Sequence, residues 1–118
     1  MMTKAQLSTL LHSLNIPVGE GEHFLDSEAN MPKVAYWERI WNDAMASGDD
    51  YDTIVNYQIS MFSRRPRDPS LIALKTALNE AGIHPEFYIE YVKSEKGPGY
   101  YHTACTVDVE EDINVAAQ

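Results

Sequence analysis

The stretch Thr53-Ile54-Val55-Asn56-Tyr57-Gln58-Ile59-Ser60-Met61-Phe62 decides how the rest of the chain is read. Thr53, Val55, Tyr57, Ile59 and Met61 alternate with Asn56, Gln58 and Ser60. A β-strand turns that period of two into one apolar face and one wet face. A strand with one wet face suits an antiparallel sheet covered by helices on one side.

Upstream, Val34 to Trp41 reads as a second strand, with Val34, Tyr36 and Ile40 on one face and Ala35, Trp37 and Trp41 on the other. Being apolar on both faces, it is expected to be covered on both sides. Asn42 to Asp52, with Gly48-Asp49-Asp50, reads as a polar connection. Gly19, Gly21, Pro32 and the acidic residues Glu20, Glu22, Asp26 and Glu28 make 16–33 a loop, with a short strand conceivable near Pro17-Val18. Before it, Thr3-Lys4-Ala5-Gln6 has the form of a capping box. Leu7, Leu10, Leu11 and Leu14 then recur at helical spacing, and Asn15 and Pro17 end the helix.

Downstream, Arg64 to Asp68 forms a turn, and Asp68-Pro69 opens a second helix with an N-cap acceptor and a proline that wastes no donor. Leu71, Leu74 and Leu78 form its stripe, flanked by Ile72 and Ala81, and Gly82-Ile83 fits a left-handed C′ glycine with its hydrophobic follower. Glu86 to Val92 and Tyr100 to Val109 read as two strands around a Lys96-Gly97-Pro98-Gly99 turn. The order α-β-β-α-β-β predicts an α+β fold: a four-stranded, mainly antiparallel sheet with two helices packed on one face. The chain, 1–118, is expected to form a single domain, with 110–118 as a flexible tail.

With 118 residues, 44% hydrophobic and 23% charged, the composition suits one folded domain with one core. The N-terminus carries a helix pattern and no signal-peptide core, which points to a cytoplasmic origin, and no apolar run is long enough to span a bilayer. One cysteine, Cys105, cannot build a disulfide framework or a Cys-rich zinc site. Net charge is -9, and only Arg64-Arg65-Pro66-Arg67 is locally basic, which argues against duplex binding by counterion release.

Catalytic templates fail: GxGxxG, GxxxxGK[ST], HExxH and GxSxG are all absent. His12 reads as a partly exposed structural residue of the first helix, His84 as a helix-end cation, and His23, among Glu20, Glu22 and Asp26, as part of an acidic loop. His102 and Cys105 are the pair that nucleophilic catalysis would favour, but a spacing of three puts them on opposite faces of a strand. Cys105 instead joins Tyr101, Thr103, Val107 and Val109 as a small core residue. The run Asp108, Glu110, Glu111, Asp112 reads as a solvated strand end. No catalytic residue, metal ligand or cofactor site is expected.

Aromatic residues are in surplus. One sheet face cannot hide them all, and Trp37, Trp41 and Tyr88 are the candidates for an interface with a partner.

From about Leu7 to Val109 the chain resembles the small tail-terminator and head-to-tail joining (tail completion) proteins of long-tailed bacteriophages. The landmarks are the leucine-bearing first helix followed by Ile16-Pro17-Val18, then Pro32-Lys33-Val34-Ala35-Tyr36 and the acidic segment Gly48 to Asp52. Val55-Asn56-Tyr57-Gln58-Ile59-Ser60-Met61, a helix from Asp68-Pro69 to Gly82-Ile83, and strands bearing Tyr91 and Tyr101 complete the set. The resemblance implies a virion protein without catalytic residues or cofactor. Copies would form a ring, usually a hexamer, that caps the tail tube and meets the head connector. An acidic ring would let genome DNA pass without sticking. Two other classes compete. One is an acidic inhibitor or DNA mimic that occupies a basic site on a host protein. The other is a small enzyme or ligand-binding domain, which the lack of convergent polar residues disfavours.

Overall fold

The computed structural model describes residues 1–21, 31–47, 50–95 and 97–111. In chain order these form α1 (Lys4–His12), β1 (Val18–Glu20), β2 (Lys33–Ser47), β3 (Asp50–Ser63), α2 (Pro69–Glu80), β4 (Tyr88–Ser94) and β5 (Gly97–Glu111). The fold is α+β, as the sequence predicts, but the sheet has five strands in the order β1-β2-β3-β5-β4 and is mixed. The expected four-stranded α-β-β-α-β-β order lacks β1. That strand is three residues long and pairs in parallel with β2, Val18 opposite Val34. It stands where the sequence allows a short strand, near Pro17-Val18, but a segment so short carries no alternation from which its partner or direction could be read.

The helix ends follow their sequence signals. Thr3 accepts from the Gln6 N–H while the Gln6 side chain accepts from the Thr3 N–H, closing the capping box. Asn15 sits at φ 58, a left-handed conformation that asparagine tolerates and that turns the chain out of α1. Asp68 accepts from the Ser70 N–H at 2.8 Å. At the other end of α2, Gly82 adopts φ 82, and the Gly82 and Ile83 N–H groups donate to Asn79 and Leu78 carbonyls.

Both helices cover one face of the sheet. Leu7, Leu11, Leu74 and Leu78 pack with Val34, Tyr36, Val55, Tyr57, Ile59, Met61, Cys105, Val107 and Val109 in one buried cluster. The alternation of β3 thus does what it predicts: Thr53, Val55, Tyr57, Ile59 and Met61 are buried under the helices. Leu71 is partly buried against the cluster, whereas Ile72 points to solvent. The opposite face is not uniformly wet, because Ala35, Ser60 and Phe62 are buried there too.

Three sequence expectations are corrected. First, 42–47 and 50–52 are strand and not a polar connection: β2 and β3 remain paired out to Ser47 opposite Asp50, and Asn42 and Asp43 face Ile54 and Thr53, while Gly48 and Asp49 lie outside the described residues. Polar residues with low strand propensity are carried there by cross-strand hydrogen bonding, including Thr53 Oγ1 to Asp43 at 3.2 Å. Second, a bulge between Glu38 and Ile40 leaves Arg39 unpaired and reverses the faces beyond it. Ile40 therefore lies opposite Asn56 on the face away from the helices, and Trp41 lies opposite Val55 on the helix side. At Ile40 and Trp41 the strand is covered on neither face, since they are 47% and 57% exposed. Third, Gly97-Pro98-Gly99 belongs to β5 and is not a free turn, as Ser94 already pairs with Gly97. β5 also runs on to Glu111, so 110 and 111 are strand; the remaining tail residues, and Lys96, lie outside the described residues.

Candidate functional site

β4 is one outer strand of the sheet. At the other side β1 covers β2 only from Val34 to Tyr36, so among the described residues the outer edge of β2 from Trp37 onward has no strand beside it. Each of these two edges carries exposed apolar side chains. On β4 they are Tyr88, Ile89 and Tyr91, at 68%, 61% and 54% exposed; on β2 they are Ile40 and Trp41. Trp37 is half-buried on the face away from the helices, opposite Gln58. The candidates Trp37, Trp41 and Tyr88 therefore do not form one patch. Two lie on β2 and one on β4, with β3 and β5 between them. Sequence missed Ile40, Ile89 and Tyr91 as part of these edges, because strand order is not written in residue periodicity.

Two tyrosines of β4 have partners for their side chains. Tyr91 packs edge-on against Tyr101 with centroids 5.2 Å apart, and its hydroxyl accepts from the Gly99 N–H at 3.2 Å. The Tyr88 hydroxyl donates to Glu86 at 2.7 Å, which holds its phenol above the usual tyrosine range. A shallow depression lined by Tyr88, Ile89, Glu90, His102 and Ala104 runs beside these rings.

On the face away from the helices, three strands are tied together by a polar relay. His102 Nε2 lies 2.8 Å from Ser60 Oγ, and Nδ1 lies 2.9 Å from Glu90 Oε1. Gln58 Nε2 donates to the same Ser60 oxygen at 3.0 Å. With the proton on Nδ1, the imidazole donates to Glu90 and accepts from the Ser60 hydroxyl, and every group is satisfied. The order carboxylate, imidazole, hydroxyl is that of a hydrolytic triad. Here, however, Ser60 is 0% exposed and Phe62 stacks on the His102 ring at 4.8 Å, so a carbonyl carbon has no approach to Oγ. The relay fastens β4 to β5 and β3. Farther along this face Arg39 donates to Asn56 at 3.0 Å and Asn56 to Asp108 at 2.8 Å, a second bridge across three strands.

The helix side carries its own polar contacts. Lys4 pairs with Glu20 at 3.0 Å, a hydrogen bond that raises the ammonium above the ordinary lysine range. The Tyr57 hydroxyl donates to Glu111 at 2.7 Å; burial first and then this bond push its phenol well above the usual value. Glu111 is thus a partner for a core tyrosine and not a solvated strand end. Cys105 is buried on the helix side, with its thiol pushed up to about 12 by desolvation. His102 lies on the opposite face, as the spacing of three predicts.

His12 is exposed and its Nδ1 lies 2.8 Å from the Ser8 carbonyl oxygen. His84 is exposed just past the end of α2, while His23 and its acidic neighbours Glu22 and Asp26 lie outside the described residues. Among the described residues no cluster of His, Cys, Asp or Glu could hold a metal ion, and no helix is long and apolar enough to cross a membrane. Of the basic cluster, Arg65 pairs with Asp68 at 3.6 Å and Arg64 donates to the Pro98 carbonyl at 3.1 Å. No protein-family model and no curated protein matches the chain.

Proposed function

We propose that the protein is an assembly component of a bacteriophage neck: copies join into a ring that ends the tail tube and meets the head connector. The observation that carries this reading is the pair of unlike sheet edges, each with exposed apolar side chains and, among the described residues, no strand beside it. Exposed strand edges are normally blunted or covered, and aromatic side chains on them favour burial against another chain. Two different edges on opposite sides of one subunit suit a head-to-tail contact, which closes into a ring when its rotation divides a full turn. An elongated subunit of 55 × 28 × 22 Å offers the long lateral flank such a wall requires. The net charge of -9 suits a passage for DNA.

Light scattering and negative-stain microscopy of concentrated protein, alone and with purified phage tail tubes, test the proposal. Rings, or caps at one tube end, are the expected result. A monomer that ignores tubes overturns it, and a monomer that instead binds a basic host protein favours the acidic inhibitor.

A further inference from the structure

We infer that β4 of one copy docks antiparallel on the outer edge of β2 of the next, past the end of β1, with the helices of both copies on the same side. This contact rests on the ring reading and supplies its geometry. The occupant follows from charge and from the parity of each edge.

By alternation, the helix side of the β2 edge presents Glu38, Trp41 and Asp43, since these lie opposite Tyr57, Val55 and Thr53. The same side of β4 presents Ile89, opposite Thr103, and Tyr91, opposite Tyr101; alternation along β4 assigns Lys93 to it as well, at the register shift between Val92 and Ser94, where the additional residue belongs to β5. The far side of the β2 edge presents Trp37, Ile40 and the Arg39 guanidinium, which reaches Asn56 on that face. The far side of β4 presents Tyr88, Glu90 and Val92. When the two sheets continue with helices on one side, opposite charges share each face: Lys93 with Glu38 and Asp43 on the helix side, Glu90 with Arg39 on the far side. Turning one sheet over would set Glu90 against Glu38 and Asp43, and Lys93 against Arg39. Like charges across a strand pair are destabilising, so the second arrangement is disfavoured.

Strand direction agrees. β2 and β5 run one way while β3 and β4 run the other, so a neighbour turned about an axis along the strands brings β4 to β2 antiparallel. Length agrees as well: β4 spans roughly 24 Å and the open part of β2 roughly 37 Å at about 3.4 Å per residue. One register opposes Lys93 to Glu38 and keeps the side assignments of both strands, with Glu90 opposite Asn42. Tyr91 opposite Trp41 places Val92 opposite Ile40 and, across the Arg39 bulge, Lys93 opposite Glu38. Glu38 is already held beside the Trp41 ring, whose indole N–H donates to it at 3.1 Å.

Cross-linking of the full chain tests the contact. Directly opposed strand residues lie within disulfide reach, and the native Cys105 is buried. Ile40→Cys and Val92→Cys proteins, mixed and mildly oxidised at millimolar concentration, are expected to give mainly the mixed 40–92 dimer. Predominant 40–40 or 92–92 dimers, or no cross-link, overturn the inference. Glu38→Lys and Lys93→Glu, which alter exposed residues, are each expected to weaken self-association by about tenfold, with the double reversal restoring most of it. Additive loss in the double variant overturns the pairing. Rings that cap tubes without a 40–92 cross-link would refute this contact and leave the neck reading intact. A 40–92 cross-link in a protein that ignores tubes would do the reverse.

Discussion

Tyr57 offers the sharpest test of how the sheet is held together. Its side chain is 0% exposed, its ring tilts against Tyr36 at 6.0 Å, and its hydroxyl donates to Glu111 at 2.7 Å. Tyr57→Phe keeps the ring and deletes a hydrogen bond to a carboxylate, a type of bond contributing about 1.5–3 kcal/mol. Glu111 is only half-buried, so water can replace part of the loss, and about 1–2 kcal/mol is expected. At roughly 2.1 cal/mol/K per residue, the unfolding entropy converts that to a fall in Tm of about 4–8 °C. Tyr57→Asp removes the ring as well and buries a charge, at more than about 5 kcal/mol, enough to unfold a domain of ordinary stability. Gln58→Lys on the other face loses the bond to Ser60, which keeps His102, so about 0.5–1 kcal/mol is expected. Urea denaturation followed by far-UV circular dichroism measures all three. A Tyr57→Phe protein within error of wild type would show that the Glu111 bond contributes nothing. Equal losses for Tyr57→Asp and Gln58→Lys would refute one-sided burial.

The Cys105 thiol, raised by burial from 9.0 to about 12, favours the folded state only while unfolded chains hold the proton. Its contribution is therefore complete below pH 9 and lost as pH climbs from 9 to 12, at up to about 1.4 kcal/mol per pH unit. Cys105→Ala should flatten the stability profile between pH 9 and 10 in urea titrations, and an unchanged slope would rule the thiol out. A Cβ at Gly99 would strike the Val92 carbonyl oxygen and come within 2.6 Å of the Tyr91 ring, whereas one at Gly97 would meet open space. Gly99→Ala should cost about 1–3 kcal/mol in thermal melts and Gly97→Ala much less, and equal effects would contradict the packing.

Local signals in this sequence are clear where one residue type has one physical use. The Thr3 to Gln6 capping box, the Asp68-Pro69 start, the Gly82-Ile83 stop and the alternation through Tyr57 all appear where they were read. What stayed hidden depends on a distant neighbour. The parallel pairing of the short strand Val18 to Glu20 is set by β2, which offers it a ladder, and Asn42 to Ser47 stays extended only because β3 runs alongside. The relay of Ser60, His102 and Glu90 joins residues from three strands, and no spacing within one segment could announce it. Of the interface candidates, Trp41 and Tyr88 were legible as excess aromatics, but their division between two edges required the strand order.

The extra residue at Arg39 gives β2 a measure of slack. Because Glu38 and Ile40 already face consecutive residues of β3, Arg39 could be lost without shifting any residue beyond it to the other face. Loss of Ile40 could be absorbed in the same place, with Arg39 moving into line opposite Asn56, which its guanidinium already touches. Straightening the chain would relax the local twist that a bulge imposes, so the far arm of the hairpin would swing while its partners stayed the same. Shortening at this point therefore changes the reach of the subunit and keeps the facing of the residues beyond it, whereas shortening within the regularly paired stretch from Lys33 to Trp37 turns the side chains over.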